Sequence, residues 1–188
     1  MNTHERPAPD WQVQQWFNTT TPPTVQSLRG KVIVLEAFQM LCPGCVSHGL
    51  PQAARVRALF PTDDVAVIGL HTVFEHHAAM TPVSLQAFLH EYRITFPVGV
   101  DVADPDSPIP KTMRAYAMRG TPTLVLIDRV GTIRHEYFGQ VDDLLLGAQI
   151  AELVGERSAV AESPAESTPP TSAQCDDDGC AIDMAGQR

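Results

Sequence analysis

No stretch of this chain approaches the roughly 18 consecutive apolar residues of a membrane-spanning helix. The opening residues, MNTHERPAPDW, hold no apolar segment behind a basic start and no small-residue cleavage site. They do not read as a secretory signal, so a cytoplasmic location is the expectation. Basic clusters are missing as well. With 13 Lys+Arg against 22 Asp+Glu the formal net charge is −9, and no cationic stripe is offered to a phosphate backbone. That argues against a nucleic-acid partner. No internal repeat is visible.

What is present suffices for one ordinary domain. The 188 residues are 44% hydrophobic, enough to bury a real core. The acidity is uneven: residues 156–188 hold seven of the 22 acids and only two arginines. There the stretch ERSAVAESPAESTPPTSAQ is small, polar and rich in Pro, Ser and Glu, and cannot bury enough apolar surface to offset its ordering entropy. The expected organisation is a folded domain over residues 1–155 and a flexible acidic tail over 156–188.

Within the domain, strand and helix patterns alternate. Lys31 to Phe38 (KVIVLEAF) is nearly continuous apolar, as in a strand buried on both faces. Gly44 to Phe60 has near-helical apolar spacing, with Pro51 expected to kink it. Val65 to Leu70 is a second buried strand, and Ser84 to Tyr92 a helix that Ser84 is placed to cap. Val98 to Val100 reads as a short strand and Lys111 to Ala117 as a short helix. Thr123 to Ile127 and Thr132 to Phe138 flank the turn DRVG and predict an antiparallel hairpin. Val141 to Val154 predicts a closing helix, and Trp11 to Phe17 a segment suited to edge pairing. The fold class is therefore α/β: a central mixed sheet with helices on both faces.

Four cysteines fall in two pairs, Cys42/Cys45 and Cys175/Cys180. In CPGC, Cys42 ends the buried strand and the helix begins at Pro43 or Gly44. A sulfur at a helix N-terminus meets free N–H groups and the macrodipole, which favour the thiolate. Pro43 suits a first helical turn because its absent N–H has no partner there. Cys45, one turn on, is close enough to bond Cys42. This geometry predicts thiol–disulfide exchange: Cys42 attacks a partner disulfide, and Cys45 resolves the mixed disulfide. The alternatives are half of a zinc site, for which no second CxxC supplies the remaining ligands, or a coincidental pair.

The strand VIVLEAF, then CPGC, a helix, and far downstream RGTPTLVLID with GTIRHEYFG together resemble the thioredoxin superfamily. Within it the chain is similar to the TlpA-like and DipZ-like thiol–disulfide oxidoreductases, relatives of the AhpC/TSA redoxins. WFNTTTPPTVQSLRGKV resembles their entry segment, and IGLHTVFEHHAAMTPVSLQAFLHEYRITFPVGVD their strand, loop and helix. The resemblance spans about residues 9–154. It implies a cis Thr121–Pro122 bond facing the CxxC, with Pro122 beside the disulfide and the Thr121 backbone pairing with a substrate strand. Leu41, Pro43 and Gly44 would complete the partner-binding surface, Leu41 standing where tryptophan is common. Glu36 lies six residues before Cys42, where thioredoxins carry a buried aspartate. Such an acid should have a raised pKa and is a candidate acceptor of the Cys45 proton. The bland alternative is a glutamate at a polar edge or paired with an arginine.

Two rival functions follow from other residues. A peroxiredoxin-like, thiol-dependent peroxidase would want Thr three and Pro seven residues before its reactive cysteine. Relative to Cys42 those positions hold Gln39 and Leu35. A copper carrier would use Cys42, Cys45 and a histidine among His48, His71, His76 and His77, but Sco-like proteins space their cysteines by three residues. No metal and no organic cofactor are expected. The partners implied are a disulfide-containing protein or small thiol and an upstream reductant. Cys175 and Cys180, in CDDDGC, are candidates for a tethered shuttle disulfide.

Overall fold

The computed structural model describes residues 6–161, 175–176 and 179–180. The strands are β1 (Arg6–Pro7), β2 (Val13–Phe17), β3 (Val32–Phe38), β4 (Val65–His71), β5 (Val98–Asp101), β6 (Thr123–Ile127) and β7 (Thr132–Phe138). The helices are α1 (Leu50–Leu59), α2 (Pro82–Glu91), α3 (Lys111–Ala115) and α4 (Asp143–Ala161), with a π-helical stretch, Cys45–Gly49, leading into α1. Strands β1 to β7 form one sheet in the order β1-β7-β6-β3-β4-β5-β2. The pairs β3–β4 and β4–β5 are parallel; the other pairs are antiparallel.

Every residue of β3 is buried, as a central strand covered on both faces requires. Val32, Val34 and Phe38 face one core with Leu50, Ala53, Leu85, Leu89, Leu146 and Ile150, drawn from α1, α2 and α4. Ile33, Leu35 and Ala37 face a second core with Trp11, Val25, Met113 and Tyr116. The mixed, doubly covered sheet expected from the sequence is the sheet observed.

The N-terminal segment runs along both edges of this sheet. β2 pairs with β5 at one edge, as expected for the Trp11–Phe17 region, and β1 pairs with β7 at the other. Between them, the Tyr116 hydroxyl donates to the Pro9 carbonyl at 2.6 Å and the Trp11 indole to the Pro23 carbonyl at 2.7 Å.

Several boundaries differ from expectation. Thr81, not Ser84, caps α2: its side-chain oxygen accepts the Ser84 N–H at 3.3 Å. The helix then starts at Pro82, whose missing N–H suits that position. Pro51 does not kink a regular helix; the chain widens ahead of it, with the Leu50 N–H reaching back five residues to the Cys45 carbonyl. Helix α4 runs to Ala161 rather than ending at Val154, because Glu156, Arg157 and Ala159 are good helix formers and no proline intervenes before Pro164.

By internal contacts the chain divides into a unit of residues 1–157 and a unit of residues 158–188. Most of the tail expected to be flexible lies outside the described residues. In the second unit, β8 (Cys175–Asp176) and β9 (Gly179–Cys180) pair antiparallel, with Cys175 opposite Cys180. Among the described residues no helix is long and apolar enough to cross a membrane.

Candidate active site

Strand β3 delivers its last residues to the C-terminal end of the parallel β3–β4 pair, the usual place for a site in an α/β sheet. The chain turns there: the Cys42 N–H donates to the Gln39 carbonyl at 3.2 Å. The helical run starts at Pro43, and the Val46 N–H donates to the Cys42 carbonyl at 3.1 Å. Cys42 therefore stands at the mouth of the helix, as the CPGC spacing predicts.

Both cysteines are free thiols; Cys42 is half-buried and Cys45 buried. The Cys45 N–H donates to Cys42 Sγ at 3.2 Å, and the Cys42 thiol faces the Thr121 carbonyl oxygen at 3.5 Å. Burial pushes the Cys45 thiol well above its ordinary pKa, and the adjoining Cys42 sulfur adds to this. The protonated thiol is therefore the favoured form of Cys45.

Glu36 supplies a carboxyl behind them. It is 1% exposed in the middle of β3, and its Oε1 has no hydrogen-bond partner. Burial raises its pKa well above the carboxylate range, and the Cys42 charge adds to the effect. The polar-edge alternative for this residue is set aside by its position among Leu35, Ala37 and the core.

The Thr121–Pro122 bond is cis, as the resemblance implies. Pro122 packs over the helix mouth: a Cβ built on Gly44 would lie 3.2 Å from Pro122 Cδ. A Cβ on Gly49 would lie 3.1 Å from Pro122 Cβ and would collide with Glu36 Oε1. Cys42, Cys45, Glu36, Gly44, Thr121 and Pro122 are thereby brought together. Leu41 and Pro43 lie on the outside of the turn, Leu41 at 57% exposed.

Sequence reasoning missed three groups. Gly49 is the bare backbone against which Glu36 and Pro122 close; its signal was a glycine in a helical pattern, where alanine would be about 1 kcal/mol better. Phe138, 47% exposed, lies on Gly120 next to the Thr121–Pro122 bond, with the Arg119 guanidinium 5.0 Å above its ring centroid. Gln39 is an amide in an otherwise apolar approach to the cysteines. The histidines do not assemble with them: among the described residues no group of three or more His, Cys, Asp or Glu side chains is placed to hold a metal. His71 is fully buried against Phe38, with ring centroids 5.3 Å apart and both ring nitrogens unpartnered. Cys175 and Cys180 belong to the second unit.

A sheet of this topology with a dithiol at a helix mouth and a facing cis-proline defines a thioredoxin-like oxidoreductase. The AhpC/TSA family model matches residues 5–136, and the chain belongs to that family. A solved thioredoxin-like superfamily protein is 66% identical, covering 79% of this chain and 96% of its own, with a TM-score of 0.78. A solved thiol-disulfide isomerase from Corynebacterium glutamicum is 49% identical, covering 78% of this chain and 96% of its own, at a TM-score of 0.75. Protein DipZ of Mycobacterium bovis is 27% identical over 167 residues, which is 87% of this chain and 23% of that protein. The chain thus spans about a quarter of the length of that relative.

Proposed function

We propose that this protein is a thiol–disulfide oxidoreductase in which Cys42 is the attacking sulfur and Cys45 the resolving one. The observation that carries the reading is the asymmetry of the pair. The half-buried Cys42 sulfur receives the Cys45 N–H at the helix mouth, while the Cys45 thiol is buried behind it. Cys42 thiolate attacks one sulfur of a partner disulfide, and the other leaves as a thiolate that takes up a proton. Cys45 then loses its proton to Glu36, directly or through a water, and attacks Cys42 Sγ. The partner departs with two electrons and two protons, leaving a Cys42–Cys45 disulfide for an upstream reductant to reopen.

Leu41, Pro43, Gly44, Thr121 and Pro122 form the partner surface in this reading, with Phe138 and Arg119 extending it. The test is direct. Cys45→Ser should trap a covalent adduct at Cys42 with an oxidised protein substrate such as insulin, and Cys42→Ser should form none. Absence of an adduct in Cys45→Ser overturns the assignment. Glu36→Gln should slow resolution while leaving adduct formation at its original rate.

A thiol-dependent peroxidase is the alternative reading, and it is disfavoured because Gln39 and Leu35 occupy the positions where that chemistry wants Thr and Pro. Peroxide consumption should therefore be slow beside insulin reduction. Compartment sets the direction of electron flow. In the cytoplasm expected from the sequence the pair would stay reduced and reduce its partners, whereas an oxidising compartment would reverse the flow. Cell fractionation with a measured reduction potential decides this.

The Cys175/Cys180 pair is proposed as a second, shuttling disulfide. Its support is the register that sets the two cysteines opposite each other across β8 and β9, where backbones approach to disulfide range. Truncation after Ala161 should then change turnover with a protein reductant; unchanged turnover discards the shuttle.

A further inference from the structure

The last rung of the β3–β4 ladder is the Thr72 N–H donating to the Phe38 carbonyl at 3.1 Å. Beyond it the two chains separate, β3 into the turn that carries Leu41 and Cys42, β4 into the loop of residues 72–81. One side chain spans the gap. Gln39 Oε1 accepts the Phe74 N–H at 3.2 Å, and Gln39 Nε2 donates to Glu75 Oε1 at 3.3 Å. The main-chain carbonyl of the same residue accepts the Cys42 N–H at 3.2 Å. Gln39 is 1% exposed, so its amide must be satisfied by protein groups, and these bonds engage both ends of it.

We propose that Gln39 is a positioning residue for Cys42, anchored by Glu75: it fixes the turn that aims the attacking sulfur by suspending it from the β4–α2 loop. The inference rests on the dithiol reading above.

The physical case is one of geometry. Cys42 Sγ has to hold the Cys45 N–H at 3.2 Å and the Thr121 carbonyl at 3.5 Å, and both distances depend on the backbone orientation of residues 39–42. A rotation of the Gln39 peptide shifts the sulfur along an arc. In reactions that need aligned atoms, a displacement of about 1 Å is enough to cost on the order of a hundredfold in rate. A buried apolar side chain of similar volume fills the space but leaves the Phe74 N–H without its acceptor.

The experiment measures the rate of Cys42 alkylation by iodoacetamide, and of its first exchange with a small aromatic disulfide, across pH 5–9. Gln39→Leu should slow both by on the order of tenfold and alter the pH profile, with thermal unfolding followed in parallel. Gln39→Glu alone sets two carboxyl groups against each other, so its rate relative to the unaltered protein at the same pH should be depressed at neutral pH and approach parity as pH falls. The reciprocal exchange, Gln39→Glu with Glu75→Gln, restores an acceptor on the strand and an amide donor on the loop, and should return the profile of the unaltered protein. Wild-type rates and pH profile in a folded Gln39→Leu overturn the proposal. If that variant does not fold, a reciprocal exchange that folds but fails to restore the rate overturns it instead. Cys45→Ser is run alongside: failure to trap an adduct there condemns the dithiol reading itself, not the role of Gln39.

Discussion

Glu36 and Gly49 illustrate how one residue makes room for another. The carboxyl lies against a backbone that carries no side chain, in the stretch where the helix is widened and the Leu50 N–H reaches Cys45. Gly49→Ala should cost about 1–3 kcal/mol through overpacking, seen as a lower denaturation midpoint, and slow resolution by moving Glu36. Adding Glu36→Ala should recover part of the stability but none of the rate. His71 gives a second expectation. Burial lowers its pKa from 6.5 to about 4, so below pH 6.5 the unfolded chain takes up a proton that the folded chain refuses. Stability should fall as pH drops from about 6.5 towards 4, by roughly 3 kcal/mol in the limit. His71→Leu should remove that slope, measured as unfolding midpoints at pH 5 and pH 8.

At the level of elements, the strands were legible and the helix ends were not. VIVLEAF and TLVLI read as buried strands because both of their faces are covered, which leaves a continuous apolar run in the sequence. The nearness of Cys42 to Cys45 was legible from their spacing, and that of Thr121 and Pro122 to the pair only through the family resemblance. Caps depend on which of two neighbouring hydroxyls faces the first free N–H, a choice made by the preceding loop; Thr81 prevails over Ser84. Thr81→Ala should cost about 1 kcal/mol, in excess of Ser84→Ala, by chemical denaturation. The π-helical stretch had only Pro51 as its signal, and proline alone does not say whether a helix bends or widens. Gln39 and Phe138 escaped because their significance lies in contacts with residues 74–75 and 119–120, which no periodicity encodes.

Taken as a whole, the first unit packs two cores against its sheet, with the Glu36 carboxyl buried behind Cys42 and Cys45. Its N-terminal strap is the feature with the widest reach. By lying on β7 with one short strand and on β5 with another, a run of fewer than twenty residues occupies ladder positions on both flanks, and exposed flanks are where sheets recruit one another. A chain shortened to begin at residue 19 should keep its dithiol and associate more readily through the uncovered flanks. Size-exclusion chromatography beside the 188-residue chain should show the shortened chain shifted to larger species, and a shortened chain with no such shift would mean that the strap seals nothing.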